Sequence, residues 1–422
     1  MSHEKQATTQ PAGPDEQTPT APAGPEEPGV PANPERVRAL EGALDKLART
    51  LHREGFTAGR MEFRFVRALE ERANGEQVHL FERKLRHGLV GHVIVKRLRD
   101  PGSFQERQRL EEQVQLAFRL RHPAIAQVHH FKVIGGVPHV IMEYVEGPTL
   151  ESLLTAAALR DKPLSTPFAL YVAAEVADAL HHAHALTEQA EGGRPLGFIH
   201  RDVSPRNLRV DRHSGQVKLM DFGAAYSRRV GREETPGHLL KGDLLYAAPE
   251  YLEGAAMDAR ADLFSLGQVL LEALTQRHLL AFWLSEVRPD AGTVKLPPDM
   301  RPDEEPELPL EELRARVARY TPEDVERATE PLPEGLRAIL RRALRRAPAE
   351  RHASAGELGQ ALRAQLHALH PGYGRNEAAE EVARVLARAS EWRELGEPLE
   401  RGLIPSGLDG HELMLGGEET PR

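Results

Sequence analysis

The sequence predicts an α+β fold with two lobes, a β-rich one followed by a helical one. Between residues 63 and 145, short apolar runs of β character are separated by turns and interrupted by one helical stretch. From Leu150 to about Leu369 the dominant pattern is helical. Strands followed by a block of helices imply this arrangement.

In chain order, residues 1–34 are rich in Pro, Ala, Gly, Thr and Glu and nearly devoid of large apolar side chains. They cannot bury enough surface to offset chain entropy, so a disordered tail is expected. From Pro34-Glu35 onward Val37, Leu40, Leu44, Leu47 and Leu51 recur at three- and four-residue spacing, which predicts an amphipathic helical lead-in over 35–62. The first lobe, 63–145, holds the runs FRFVRAL, VHLFER, HVIVKRL, IAQVHHFKV and HVIMEYV, with a helix expected over Phe104 to Leu120. The second lobe spans 146–370 and carries a Pro- and acid-rich insertion over 290–309. An extension, 371–422, contains one helical pattern, Glu377 to Glu394.

Composition excludes several function classes. Hydrophobic residues make up 40% and charged residues 28% of the 422, as in an ordinary globular protein. A formal net charge of -9 argues against a basic nucleic-acid binder, and the RRALRR run at 341–346 reads as a solvated helix face. Without cysteine, neither disulfides nor thiolate-bound zinc are available. No apolar run reaches the ~20 residues of a membrane span, and MSHEKQATTQ lacks the apolar core of a secretory signal. A cytoplasmic protein is expected.

The chemistry-bearing motifs cluster in the second lobe. Phe198-Ile199-His200-Arg201-Asp202-Val203-Ser204-Pro205-Arg206-Asn207 is followed by VKLMDFG, which ends in Asp221-Phe222-Gly223. Tyr246-Ala247-Ala248-Pro249-Glu250 comes next, then Asp262-Leu263-Phe264-Ser265-Leu266-Gly267, then Ala349-Glu350-Arg351-His352-Ala353-Ser354-Ala355. In this order and at these intervals the five segments resemble the eukaryotic-like serine/threonine protein kinases of bacteria, over roughly residues 63–370. The resemblance implies the two-lobed protein kinase fold and use of ATP and Mg²⁺. It makes Asp202 the base that orients the attacking hydroxyl, Asn207 and Asp221 the metal ligands, and Asp262 a brace beneath the catalytic loop. It pairs Arg351 with Glu250.

The same resemblance reads the nucleotide end of the first lobe. Val93-Ile94-Val95-Lys96 resembles the strand whose lysine meets the α- and β-phosphates. Met142 falls at the gatekeeper position, the backbone of Glu143 and Val145 at the adenine edge, and Leu208 at the adenine floor. The family's Gly-x-Gly-x-x-Gly-x-Val loop corresponds to Leu69 through Val78, where Gly75 survives and Glu70 and Arg72 replace the first two glycines. Gln113 occupies the helix position that usually carries the lysine's glutamate, with Glu112 one residue, about 100° of helix, away. Ser204 stands where serine/threonine kinases carry Lys, and Asp243 where they carry Thr, with Arg206 a substitute source of positive charge.

Two functions follow from these residues. The first is a Mg²⁺- and ATP-dependent kinase acting on Ser/Thr of protein substrates, with Arg201 holding a regulatory phosphate on Thr235. The second is a pseudokinase, a weak or inactive binding and scaffold module, which the missing loop glycines, Gln113, Ser204 and Asp243 favour. A regulatory partner would engage the N-terminal helix or the C-terminal extension. His181, His182 and His184 read as structural rather than metal-binding, because no further ligand completes a set.

Overall fold

A computed structural model describes residues 56–58, 61–71, 76–85, 88–98, 103–134, 136–158, 162–188, 193–222, 243–279 and 310–394. The expected tail over 1–34, most of the lead-in over 35–62 and the insertion over 290–309 lie outside them, as do Gly75 and Thr235.

The first lobe is built on an antiparallel sheet of six strands in the order β1-β2-β3-β4-β6-β5. The strands are β1 (Phe56–Ala58), β2 (Met61–Glu71), β3 (Gln77–Leu85), β4 (Gly88–Arg97), β5 (Val128–Ile134) and β6 (Val137–Glu143). One helix, α1 (Phe104–Arg119), separates β4 from β5. Alternation along β4 explains the layering, because successive side chains point to opposite faces. Val93 and Val95 join Phe63, Phe81 and Ile141 in one cluster. Ile94 packs on the other face with Leu80, Met142 and Val114 of α1. Both faces are therefore apolar, and a one-residue slip would carry Lys96 into the wrong layer. The register is interrupted at Arg83/Lys84, where Gly91, at φ +127°, sits in the region that glycine tolerates.

The described residues of the expected helical lead-in are strand. Phe56 to Ala58 pair with Met61 to Phe63 as an added edge strand, with the Phe56 and Phe63 rings stacked 4.7 Å apart. Stacking on a sheet already rich in phenylalanine favours strand over helix at residues 56–58 and 61–62.

The second lobe contains α2 (Leu150–Ala158), α3 (Thr166–His184), the hairpin β7 (Leu208–Val210) and β8 (Val217–Leu219), α4 (Pro249–Leu252), α5 (Arg260–Thr275), α6 (Leu310–Arg319), α7 (Pro322–Thr329), α8 (Glu334–Ala343), α9 (Ala355–Leu369) and α10 (Arg375–Glu394). Helix α3 starts where Ser165 accepts the Phe168 amide and proline occupies the first turn. Helix α5 runs through the centre, and a Cβ on Gly267 would stand 2.9 Å from that of Ala343, so glycine sets the approach of α5 to α8.

The extension is not a separate appendage over its helical part. Ala378 and Val382 of α10 are fully buried in the same core as α3 and α5. Glu381 accepts the Ser165 amide at 2.7 Å and the Ser165 hydroxyl at 2.5 Å. The boundary at residue 370 read from the sequence therefore cuts through one packed body.

Candidate active site

The catalytic loop is held from below by a buried carboxylate. Asp262, in the first turn of α5, accepts the amides of His200 and Arg201 at 2.8 and 2.9 Å and the Nε2–H of His184 at 2.8 Å. Burial pushes the Asp262 carboxyl upward, but the His184 hydrogen bond and the neighbouring His200 outweigh it and hold the group below the usual carboxylate range. His184 thereby has a structural role, and His182 stacks on His122 at 5.3 Å. Among the described residues no cluster of three or more His, Asp or Glu is arranged to hold a metal.

Above this brace the backbone is strained where chemistry is expected. Arg201 and Asp221 adopt φ of +68° and +49°, left-handed values that cost non-glycine residues energy and persist when the surroundings over-determine them. His200 accepts the Asp202 amide on Nδ1 and so donates from Nε2 to the Met220 carbonyl, 3.0 Å away. Its ring meets Phe222 edge-on at 4.5 Å, locking the loop to the segment that carries Asp221.

Asn207 donates its Nδ2–H to the Asp202 carbonyl at 2.8 Å. A carbonyl acceptor requires the amide nitrogen there, so Oδ1 is the atom that can ligate a cation. Asp221 supplies a carboxylate. These two hard oxygens fit Mg²⁺.

Lys96, only 9% exposed along its side chain, meets Asp221 Oδ2 at 2.7 Å and Glu76 Oε2 at 3.1 Å. Glu76 was not singled out in the sequence. It lies two residues before Val78, which is paired across the sheet with Lys96. Gln113 is half-buried on α1, and the neighbouring Glu112 carboxylate accepts from Gln108 of the same helix at 3.5 Å.

Asp202 Oδ1 accepts the Asp243 amide at 2.7 Å. The Asp243 carboxylate in turn stands 3.5 Å from Arg206 Nε and accepts the Leu245 amide. The two departures from the family pattern, Ser204 and Asp243, are thus accompanied by an Arg206–Asp243 ion pair beside Asp202.

At the adenine end, Met142 faces Ile94 across the β4–β6 ladder, and both are buried. The Glu143 carboxylate is engaged by Lys218 at 2.8 Å and by the Gln127 amide. Val145 follows, buried, and among the described residues its amide donates to no protein acceptor. Leu208 requires correction as the floor. It is 0% exposed and lies in the core of the helical lobe with Val210 and Leu219. Alternation along β7 turns Arg209 the opposite way, and its Nη1 donates to the Gly147 carbonyl just beyond β6 at 2.6 Å.

The end of the activation segment is anchored at depth. Glu250 and Arg351 form a bidentate pair at 2.7 Å in both bonds. The other guanidinium donors reach the carbonyls of Arg345, Arg260 and Arg346, so all five are satisfied. Nearby, the Tyr246 hydroxyl donates to Glu272 at 2.5 Å. Burial, with the Asp243 and Glu151 charges, pushes Glu272 up to about 7 despite that hydrogen bond. Arg201 lies 5.9 Å over the Tyr251 ring of α4.

Similarity agrees with this geometry. The protein kinase domain family model matches residues 84–358. Tyrosine-protein kinase MasK of Myxococcus xanthus is 34% identical over 282 residues, covering 64% of this chain and 42% of MasK. Serine/threonine-protein kinase PknB of Mycolicibacterium smegmatis is 35% identical over 209 residues, 47% of this chain and 30% of PknB. The chain thus spans less than half the length of these relatives. The crystal structure of the Mycobacterium tuberculosis PknI kinase domain is 25% identical, covering 74% of this chain and 98% of that one at a TM-score of 0.46. A six-stranded first-lobe sheet, a braced loop at His200-Arg201-Asp202 and a family match over more than half of the chain lead to one conclusion: the chain belongs to the protein kinase family, among the eukaryotic-like kinases of bacteria.

Proposed function

We propose that this chain is an ATP- and Mg²⁺-dependent protein kinase that phosphorylates Ser or Thr of protein substrates in the cytoplasm. The observation that carries this reading is the chain of contacts joining Asp202 to Asn207, Asn207 to the Met220 amide beside Asp221, and Asp221 to Lys96, with the loop braced by buried Asp262. Lys96 would bind the α- and β-phosphates. Asn207 and Asp221 would hold the metal, which when bound neutralises charge on the transferred phosphoryl group. Asp202 orients the acceptor hydroxyl and takes its proton. Val145 offers its amide to the adenine edge, and the stem of Arg209 rather than Leu208 closes the slot from below. Arg201 would hold a phosphate on Thr235. Relatives named as serine/threonine kinases support the acceptor class, and phosphoamino-acid analysis tests it against the tyrosine activity in MasK's name.

A second reading, a kinase-fold binding or scaffold module without turnover, is favoured by the two carboxylates already engaging Lys96. Radiolabel transfer from ATP by purified protein separates the two. Asp202→Asn should abolish transfer while Mg²⁺-assisted nucleotide binding persists, because the base acts in the chemical step. Full activity in that variant would refute the catalytic assignment.

A further inference from the structure

We propose that Glu76 is a positioning residue for Lys96, holding the phosphate-binding ammonium from the β-sheet where kinases ordinarily use a glutamate of α1. The inference rests on the kinase reading above.

The contact follows from the sheet itself. Val78 is the residue directly opposite Lys96 in the β3–β4 ladder. Glu76 stands one residue before β3 and two before Val78, and the extended alternation carried one step beyond the strand places it diagonal to Lys96, within reach of a long side chain. Its carboxylate lies 3.1 Å from the ammonium. The side chains are 18% and 9% exposed, so the pair is shielded from the solvent and salt that make surface pairs nearly worthless.

Chemistry at the α1 position points the same way. Gln113 brings no charge there, and the Glu112 carboxylate is turned to Gln108 along its own helix. A buried ammonium needs compensating charge. Asp221 supplies part of it at 2.7 Å, but as a metal ligand it must also serve the cation. Glu76 can remain with the lysine throughout. Glu76 directly precedes Gln77, which pairs with Arg97 at the end of the β3–β4 ladder, so its position beside Lys96 is tied to that strand pairing rather than to α1.

The opposite physical effect would be repulsion. A carboxylate beside bound phosphates disfavours them by like charge, so a gate and a positioning group predict opposite signs on removal. Glu76→Gln keeps the shape and removes the charge. A charge-assisted hydrogen bond of this kind corresponds to roughly tenfold or more in binding or rate.

The test measures MgATP and adenosine affinity, and kcat and KM for transfer, in wild type, Glu76→Gln and Glu76→Asp. The expected result is MgATP affinity and kcat/KM lowered about tenfold by Glu76→Gln, partial recovery in Glu76→Asp, and adenosine affinity unchanged in both. Adenosine lacks phosphates, so a merely structural role would weaken it together with MgATP, and that outcome overturns the proposal. Tighter MgATP binding by Glu76→Gln also overturns it and makes Glu76 a repulsive gate. If wild type binds MgATP and Glu76→Gln matches it, the Glu76 inference fails alone. If wild type neither binds MgATP nor transfers phosphate, the kinase reading fails and this inference falls with it.

Discussion

Removing Arg351 should be among the most destabilising single changes in this chain. The guanidinium is 2% exposed, forks onto Glu250 and spends its three remaining donors on the carbonyls of Arg345, Arg260 and Arg346. Arg351→Met keeps most of the stem's packing on Phe264, whose ring lies 4.9 Å from the guanidinium carbon. It nevertheless strands the Glu250 carboxylate in the interior. Truncating one partner of a buried pair costs about 3–5 kcal/mol. That is a large fraction of the ~5–15 kcal/mol by which domains are stable, and corresponds to a fall in Tm of roughly 10 °C. Arg351→Lys should recover little, since an ammonium has three donors and no planar fork. Urea unfolding followed by circular dichroism gives the free energies. In the double variant Glu250→Gln/Arg351→Met no charge is left stranded, so the loss should shrink relative to Arg351→Met alone. A cost below ~1 kcal/mol for Arg351→Met is the value of an exposed pair and would refute the buried anchor.

The raised carboxyl of Glu272 predicts a stability that falls as pH rises. Its folded value of about 7 lies above the unfolded one, so the folded state binds the extra proton between about pH 4.5 and 7. The contribution is fully present below that window and is lost as pH climbs through 7, on the order of 2–3 kcal/mol between pH 5 and 8. Glu272→Gln should flatten the profile, and an unchanged slope would count against the assignment. For Arg206 and Asp243, a double-mutant cycle with alanine on kcat should show coupling of about 1 kcal/mol, because either loss frees the other charge beside Asp202. Strictly additive effects would mean the pair does not act as a unit.

The legible parts of this protein are those where chemistry needs a fixed residue at a fixed interval. Asp202, Asn207, Asp221 and Asp262 belong to such segments, and the structure brings them together. The Glu250–Arg351 contact joins residues 101 apart and was readable only through the family resemblance. Spacing alone could not have found Glu76, because its link to Lys96 runs through strand pairing and follows a loop that keeps only Gly75 of the family's three glycines. Leu208 was misassigned for a related reason. Its place directly after Asn207 in the family pattern suggested an adenine contact, but a strand alternates, and Leu208 turns into the core while Arg209 turns the opposite way toward the Gly147 carbonyl. The packing of α10 was hidden too, since Glu381 looks like a solvated helix charge until Ser165 supplies two donors to it.

The nucleotide lobe separates what folds from what reacts. Its sheet depends on two apolar layers, and the alternation along β3 and β4 builds both of them. The loop glycines contribute nothing to those layers, since their use is to let backbone approach phosphate. Their loss therefore leaves the ladder from Val78 to Lys96 in register. What changes is the charge at its mouth, where Glu76 now faces the lysine. Burying Lys96 costs desolvation, and two carboxylates have to be held in place to offset it. The same carboxylates satisfy Lys96 in the absence of phosphate, so under the proposed function a bound phosphate must draw the ammonium from Asp221 while Glu76 keeps it in place.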